Sequence, residues 1–427
     1  MRKRRTIYFN DARHYYLFVF EPPMTMEDAW RPVDEVAGTA VDTFIYGVAR
    51  NDGLFYPSKI GRRFGTDMQP FNQAAYYRVW NNMQSLIDRG LDPLTVLIDR
   101  AHEKGMEFFA SLRLGEYGGM NPDHNVRNGG RGFVHEEVRQ HQFAVLRELA
   151  TEYPTEGVEL DFAAPPGGSS FHFQLEDIPQ YTPVMTDWVR QVSDMVRNRA
   201  GQPGVIGARV YPTEEMNRKY GQDVITWLEE GLVDFVVPLL YQDFKLDPDM
   251  PMEWLIQAAR NANVSIYGML QPYVVDETSG APERVHAPPA VMRAAAANFW
   301  DKGVDGLYTW FMRWPLGDSQ RRTLTEIGDP EQVKEADKRY VLRKQTECMG
   351  EMEYDAAIPV ELSAPDPAKK APIRFYIADD IEGAAGRIRQ IQLRLNIANL
   401  LSDDTLTISL NGESLANETC LRDYGRP

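Results

Sequence analysis

Cysteine is nearly missing from this chain, with two in 427 residues, Cys348 and Cys420. So few exclude a disulfide framework and a cysteine metal site. Histidine is sparse, with seven in all. No pair has the spacing of a helix-borne metal site: His135 and His141 stand six apart, and His124 falls in a loop. Neither a metal nor a cofactor is expected. Basic residues are outnumbered, 46 Lys and Arg against 62 Asp and Glu, for a net charge of −16. That balance argues against nucleic acid, whose phosphates need a basic surface. No run approaches the ~20 apolar residues of a membrane span. The N-terminal stretch, Met-Arg-Lys-Arg-Arg-Thr-Ile-Tyr-Phe-Asn, lacks an apolar segment of signal-peptide length, so the chain as given reads as cytoplasmic with no membrane partner. A Gly-rich phosphate loop after the first strand is absent, and so is a Gly-x-Ser-x-Gly elbow.

What remains is an ordinary soluble composition, 43% hydrophobic and 25% charged, rich in Trp (8) and Tyr (20). The length allows two or three domains. Strand-like runs begin near residues 6, 41, 106, 157, 204, 233, 264 and 304, and helix-like stretches separate every pair. For the first strand two runs compete, 6–10 and 16–20. Alternating strand and helix argues a parallel sheet, and eight such units argue a (β/α)8 TIM barrel over residues 1–330. Residues 51–70 form a long Gly- and Pro-punctuated loop of the kind usually kept for function. A charged helical linker follows over 331–357. Residues 358–427 read as a small antiparallel β-sandwich-like domain, incomplete on its own, with strands at 374–378, 391–397 and 406–411 and a hairpin turn at Asn411-Gly412.

The fourth unit carries the most pointed pattern. In Gly157-Val158-Glu159-Leu160-Asp161-Phe162 the apolar and acidic residues alternate. Residues two apart share a strand face, so both carboxylates project together. In barrel enzymes the active site lies at the C-terminal ends of the strands. The residues there are Asn10, Asp11, Tyr46, Arg113, Glu116, Asp161, Arg209, Tyr211, Tyr241, Asp243, Gln271, Trp310 and Arg313. Carboxylates, arginines and aromatics on one rim suit glycoside hydrolysis. That chemistry needs one protonated carboxyl to assist the leaving oxygen and one ionised carboxylate near an oxocarbenium-like centre. A separation of about 5–5.5 Å gives retention and about 6.5–9.5 Å inversion. Asp161, the last acid on its strand, is the leading catalytic candidate. Asp243, two strands away across the mouth, is its candidate partner. Glu159, one layer deeper, is expected to orient Asp161 or to pair with Arg113. Glu116, on a loop, is held in reserve. The remaining rim residues are candidate substrate contacts. The expected partner is therefore a carbohydrate; no oligomeric state follows from the pattern.

The chain resembles a broad set of bacterial glycoside-hydrolase-like barrels. The matching segments are Gly157-Val158-Glu159-Leu160-Asp161-Phe162, preceded by His135-Glu136-Glu137-Val138-Arg139; Val233-Asp234-Phe235-Val236-Val237-Pro238-Leu239-Leu240-Tyr241; Ser111-Leu112-Arg113; and Glu326-Ile327-Gly328-Asp329-Pro330 with Asp337-Lys338-Arg339-Tyr340. The resemblance covers roughly residues 1–345 and implies a barrel, a carbohydrate substrate and Asp161 in the site. Two places depart from the pattern. Ala163-Ala164 stand where a basic or bulky residue is expected, and Gly115-Glu116 where an Asn-Asp pair is expected. These departures motivate an alternative, a non-catalytic carbohydrate-binding barrel. The rim arginines motivate another, a lyase or isomerase acting on an acidic sugar.

Overall fold

The computed structural model describes residues 2–11, 17–50, 53–114, 122–126, 132–162, 172–240, 244–276, 283–345, 354–362 and 370–423. Two compact units emerge, Met1–Val274 with His286–Ala378, and Val275–Val285 with Asp379–Pro427.

The first unit holds the barrel. Its strands are β1 (Arg5–Asp11), β2 (Thr43–Gly47), β3 (Glu107–Arg113), β4 (Gly157–Asp161), β5 (Val205–Val210), β6 (Phe235–Pro238), β7 (Ser265–Leu270) and β8 (Gly306–Trp310). Each is parallel to its neighbours, and β8 returns to pair with β1, which closes the ring. The eight-unit expectation is met. Of the two first-strand candidates, the earlier run is the strand; residues 17–20 are turn and bend. Helices begin where polar caps allow. Thr25 and Asp28 form a capping box at Met26–Asp34. Asp92 accepts from Leu94 and Thr95 N–H ahead of Pro93, where the missing proline N–H costs nothing.

The period of two sorts the strand residues into two cores. One set, including Phe44, Phe108, Val158, Leu160 and Ile206, packs outward against the helices. The other, including Ile7, Phe9, Phe109, Phe235, Tyr267 and Tyr308, fills the ring. The ring's N-terminal end is stoppered by Arg5. Its Nε lies 2.8 Å from Glu107 Oε2, its Nη1 donates to the Tyr267 hydroxyl at 2.7 Å, and it stacks on Phe109.

The long loop after β2 is pinned down over its described residues. Phe55, Tyr56 and Phe64 are buried, and Glu148 accepts from the Tyr56 hydroxyl at 2.9 Å and the Lys59 N–H at 2.7 Å. Beyond the barrel, the helix expected over the linker is short, Pro330–Glu335.

In the second unit, Ser409–Leu410 pairs with Glu413–Ser414. The turn between them has Asn411 and Gly412 at φ 51° and 89°, as a hairpin of this type requires. Residues 391–397 form no ladder, nor do 374–378 in the first unit. Alternation makes one face of a strand apolar, and that face needs a second layer. Here Ile391, Leu393 and Leu395 stand exposed, and among the described residues no such layer covers them.

Candidate functional site

The upper half of the ring is polar. Strand register stacks its residues in two layers. Ser111, Glu159 and Gly207 share the lower one; Arg113, Asp161 and Arg209 share the upper. Because Val158, Leu160 and Phe162 take the helix side, Glu159 and Asp161 are forced inward. Both are completely buried.

Arg209, on β5, faces the two acids together. Its Nη2 lies 2.8 Å from Glu159 Oε1 and its Nη1 lies 3.2 Å from Asp161 Oδ2. Its flat face rests 4.0 Å from the Phe9 ring centroid, a cation–π contact that fixes the plane. Arg113, on β3, lies on the other side of Asp161, Nε to Oδ2 at 3.8 Å, and ion-pairs through Nη2 with Asp11 at the end of β1. Asp161 thus sits between two guanidiniums. From the far wall, the Tyr308 hydroxyl donates to Glu159 Oε1 at 3.1 Å and accepts from Arg209. The Ser111 hydroxyl donates to the same Oε1 at 2.7 Å. Burial pushes the Glu159 carboxyl above the usual carboxylate range, opposed by Arg209 and Ser111 and reinforced by Asp161. Burial pushes the Tyr308 phenol well up, so it remains a neutral phenol. Beside this cluster, Gln271 accepts from Trp310 Nε1 at 2.8 Å and donates to the Leu240 carbonyl at 2.9 Å. The Trp310 ring lies 6.0 Å from the Arg209 guanidinium.

The structure therefore brings together Asp11, Arg113, Glu159, Asp161 and Arg209, with Gln271 and Trp310 alongside. It does not bring in Asn10 and Tyr46. They pair in register on the opposite phase of β1 and β2, and Tyr46 packs in the core that lies between strands and helices. Tyr211 joins a separate cluster with Met216, Tyr220 and Leu240. Arg313 is exposed beyond β8. Glu116, Tyr241 and Asp243 lie outside the described residues, as do Ala163 and Ala164. Glu159 pairs with Arg209 and not with Arg113, which turns instead to Asp11. Two members of the cluster escaped the sequence reading, Ser111 and Tyr308. Each lies two residues before a rim candidate, Arg113 and Trp310, so the strand period carries their signal. Among the described residues no group of three or more His, Cys, Asp or Glu could hold a metal ion. No described helix is long and apolar enough to cross a membrane.

No family model matches the chain. It is similar to the glycosyl hydrolase DigH of Escherichia coli K12, 20% identical over 305 residues, which cover 58% of this chain and 66% of that protein. The match thus spans just under two thirds of the curated relative's length. Solved structures with a similar backbone include α-L-fucosidase isoenzyme 2 from Paenibacillus thiaminolyticus, with TM-score 0.47, 13% identity, 77% of this chain and 49% of that one. An endo-β-1,4-mannanase from Thermotoga petrophila matches with TM-score 0.46, 13% identity and 77% of each chain. The resemblance read from the sequence is met: the chain is a glycoside-hydrolase-like (β/α)8 barrel.

Proposed function

We propose that the protein is a glycoside hydrolase that works with two carboxylates, one of them Asp161. The observation that carries this reading is the seat of Asp161. It stands at the C-terminal end of β4, inside the ring, between Arg209 and Arg113. Flanking guanidiniums favour the ionised carboxylate, the form that stabilises a developing oxocarbenium ion or attacks it. The partner acid is a second rim carboxylate. Asp243, just past the end of β6, is the proposed one, with Glu116 after β3 in reserve. The substrate is an oligo- or polysaccharide whose scissile bond lies over the mouth of the ring. The similarity to a glycosyl hydrolase supports the same chemistry.

Asp161→Asn is the test. The amide keeps the shape and its oxygen can still accept from a guanidinium, so circular dichroism should match the parent protein, while the loss of a buried charge between two guanidiniums should lower the melting temperature without unfolding the protein at the assay temperature. Release of reducing ends from a panel of oligosaccharides should fall by at least about 10²-fold, the typical scale of acid–base assistance. Turnover retained at the parent rate would end the proposal.

A further inference from the structure

The two ends of the Arg209 guanidinium make different contacts. Nη2 carries two hydrogens and meets two oxygens, Glu159 Oε1 at 2.8 Å and the Tyr308 hydroxyl. Nη1 lies in the upper layer, 3.2 Å from Asp161 Oδ2. A guanidinium only donates, so the Tyr308 hydroxyl must accept from it and turn its own hydrogen elsewhere. Glu159 Oε1, 3.1 Å away, takes that hydrogen. Arg209 Nη2, Tyr308 and Glu159 thus close a circuit of three contacts, and all three side chains are completely buried.

The face of the guanidinium is held as well. Its carbon lies 4.0 Å from the Phe9 ring centroid, and the Tyr308 ring packs on Phe9 with centroids 6.2 Å apart. Tyr308 therefore acts twice. Its hydroxyl holds one edge of the guanidinium, and its ring backs the aromatic that sets the plane. With Nη2 tied and the plane set, the place of Nη1 beside Asp161 is determined. Among the described residues the groups facing Asp161 are Arg209 from β5, Arg113 from β3, Tyr308 from β8 and Glu159 on its own strand. Tyr308 is a neutral phenol and brings no charge to that set, so its influence on Asp161 passes through Arg209.

We propose that Tyr308 is a positioning residue for the reaction: its hydroxyl fixes Arg209 Nη2 against Glu159, and the guanidinium so held presents Nη1 to Asp161. Its part in turnover rests on the glycosidase reading. Its hold on Arg209, and through it on Asp161, does not.

Tyr308→Phe tests this, because the ring stays on Phe9 and only the hydroxyl is lost. Tyr267→Phe is the matched control. The Tyr267 hydroxyl also accepts from an arginine inside the ring, Arg5 at 2.7 Å, but at the N-terminal end. Both variants should melt below the parent protein, since each loses a buried hydrogen bond to an arginine. On a cleaved oligosaccharide, Tyr308→Phe should lower kcat about 10–10²-fold, the scale of a small misplacement in a catalytic site, with KM unchanged. The acid limb of its kcat/KM profile should move to higher pH, because Asp161 loses an aligned cation. Tyr267→Phe should change neither. The titration of Asp161, followed by carboxyl 13C NMR and assigned with Asp161→Asn, needs no substrate. Its midpoint should rise in Tyr308→Phe and stay in place in Tyr267→Phe. If Tyr308→Phe does not fold, Phe9→Leu takes its place, since it releases the face of the same guanidinium and should raise the same midpoint. A midpoint equal to that of the parent protein would overturn the proposal, and so would a fall in kcat that Tyr267→Phe matches. If the midpoint moves and the parent protein cleaves no glycan, the glycosidase reading fails alone.

Discussion

Glu35 shows how one buried carboxyl shapes the pH response of the whole fold. It caps the end of Met26–Asp34, is 8% exposed, and its carboxyl is pushed up to about 8, chiefly by burial, against opposing contacts from Tyr8 and Trp314. The folded state therefore holds a proton that the unfolded chain releases near its ordinary value of 4.5. Stability from this group is fully present below that lower value, declines as pH rises, and is gone above about 8. Glu35→Gln stays neutral throughout. Its stability relative to the parent should improve between pH 5 and 8 by up to about 1.4 kcal/mol per unit, then level off. Denaturant titrations at pH 5, 6.5 and 8 check it; a constant difference across the three would refute it. At this scale the sequence was legible where phase decides. Alternation alone placed Glu159 and Asp161 on one face and Val158 and Leu160 on the other. Asn10 and Tyr46 were misplaced because nearness to a strand end was weighed above phase. The exchange of partners, Arg209 to Glu159 and Arg113 to Asp11, was not legible, since a period gives a face and not the neighbour across a ring.

Among the elements, β8 is held close against β1. A Cβ on Gly306 would lie 1.9 Å from the Arg5 carbonyl oxygen, which belongs to backbone and has little room to retreat. Gly306→Ala should therefore cost about 1–3 kcal/mol, the usual range for overpacking. A lowered melting temperature would show it, and an unchanged one would mean that the strands part more easily than their register implies. Helix and strand types along the barrel were readable because each strand is apolar enough to be buried on both faces and helices such as Met26–Asp34 and Pro93–Glu103 open on a capping side chain. The pinned loop after β2 was not. Its Gly and Pro content suggested a functional loop, while the residues that fix it, Tyr56 and Glu148, lie 92 positions apart. The strands expected at 391–397 failed for a related reason. Alternation describes a face that could be covered, and says nothing of what covers it.

For the whole molecule, the proposed reading makes charge the basis for choosing among glycans. The chain carries −16, and both guanidiniums at the top of the ring already face its own carboxylates. On the proposed reading, a neutral oligosaccharide should bind at least about 10-fold more tightly than an oligogalacturonate of equal length, a gap worth about 1.4 kcal/mol. Added salt should narrow the gap by screening. Calorimetry at two ionic strengths measures both, and equal or tighter binding of the uronate would favour an acidic-sugar enzyme instead. The closing of the ring has a further consequence, in time. Thr309 Oγ1 donates to the Ile7 carbonyl across 302 residues of chain. At roughly 5–20 residues per second, a ribosome needs about 15–60 s to make that stretch. Throughout that interval one edge of β1 has no native partner, and the nascent barrel is most open to pairing with the wrong strand.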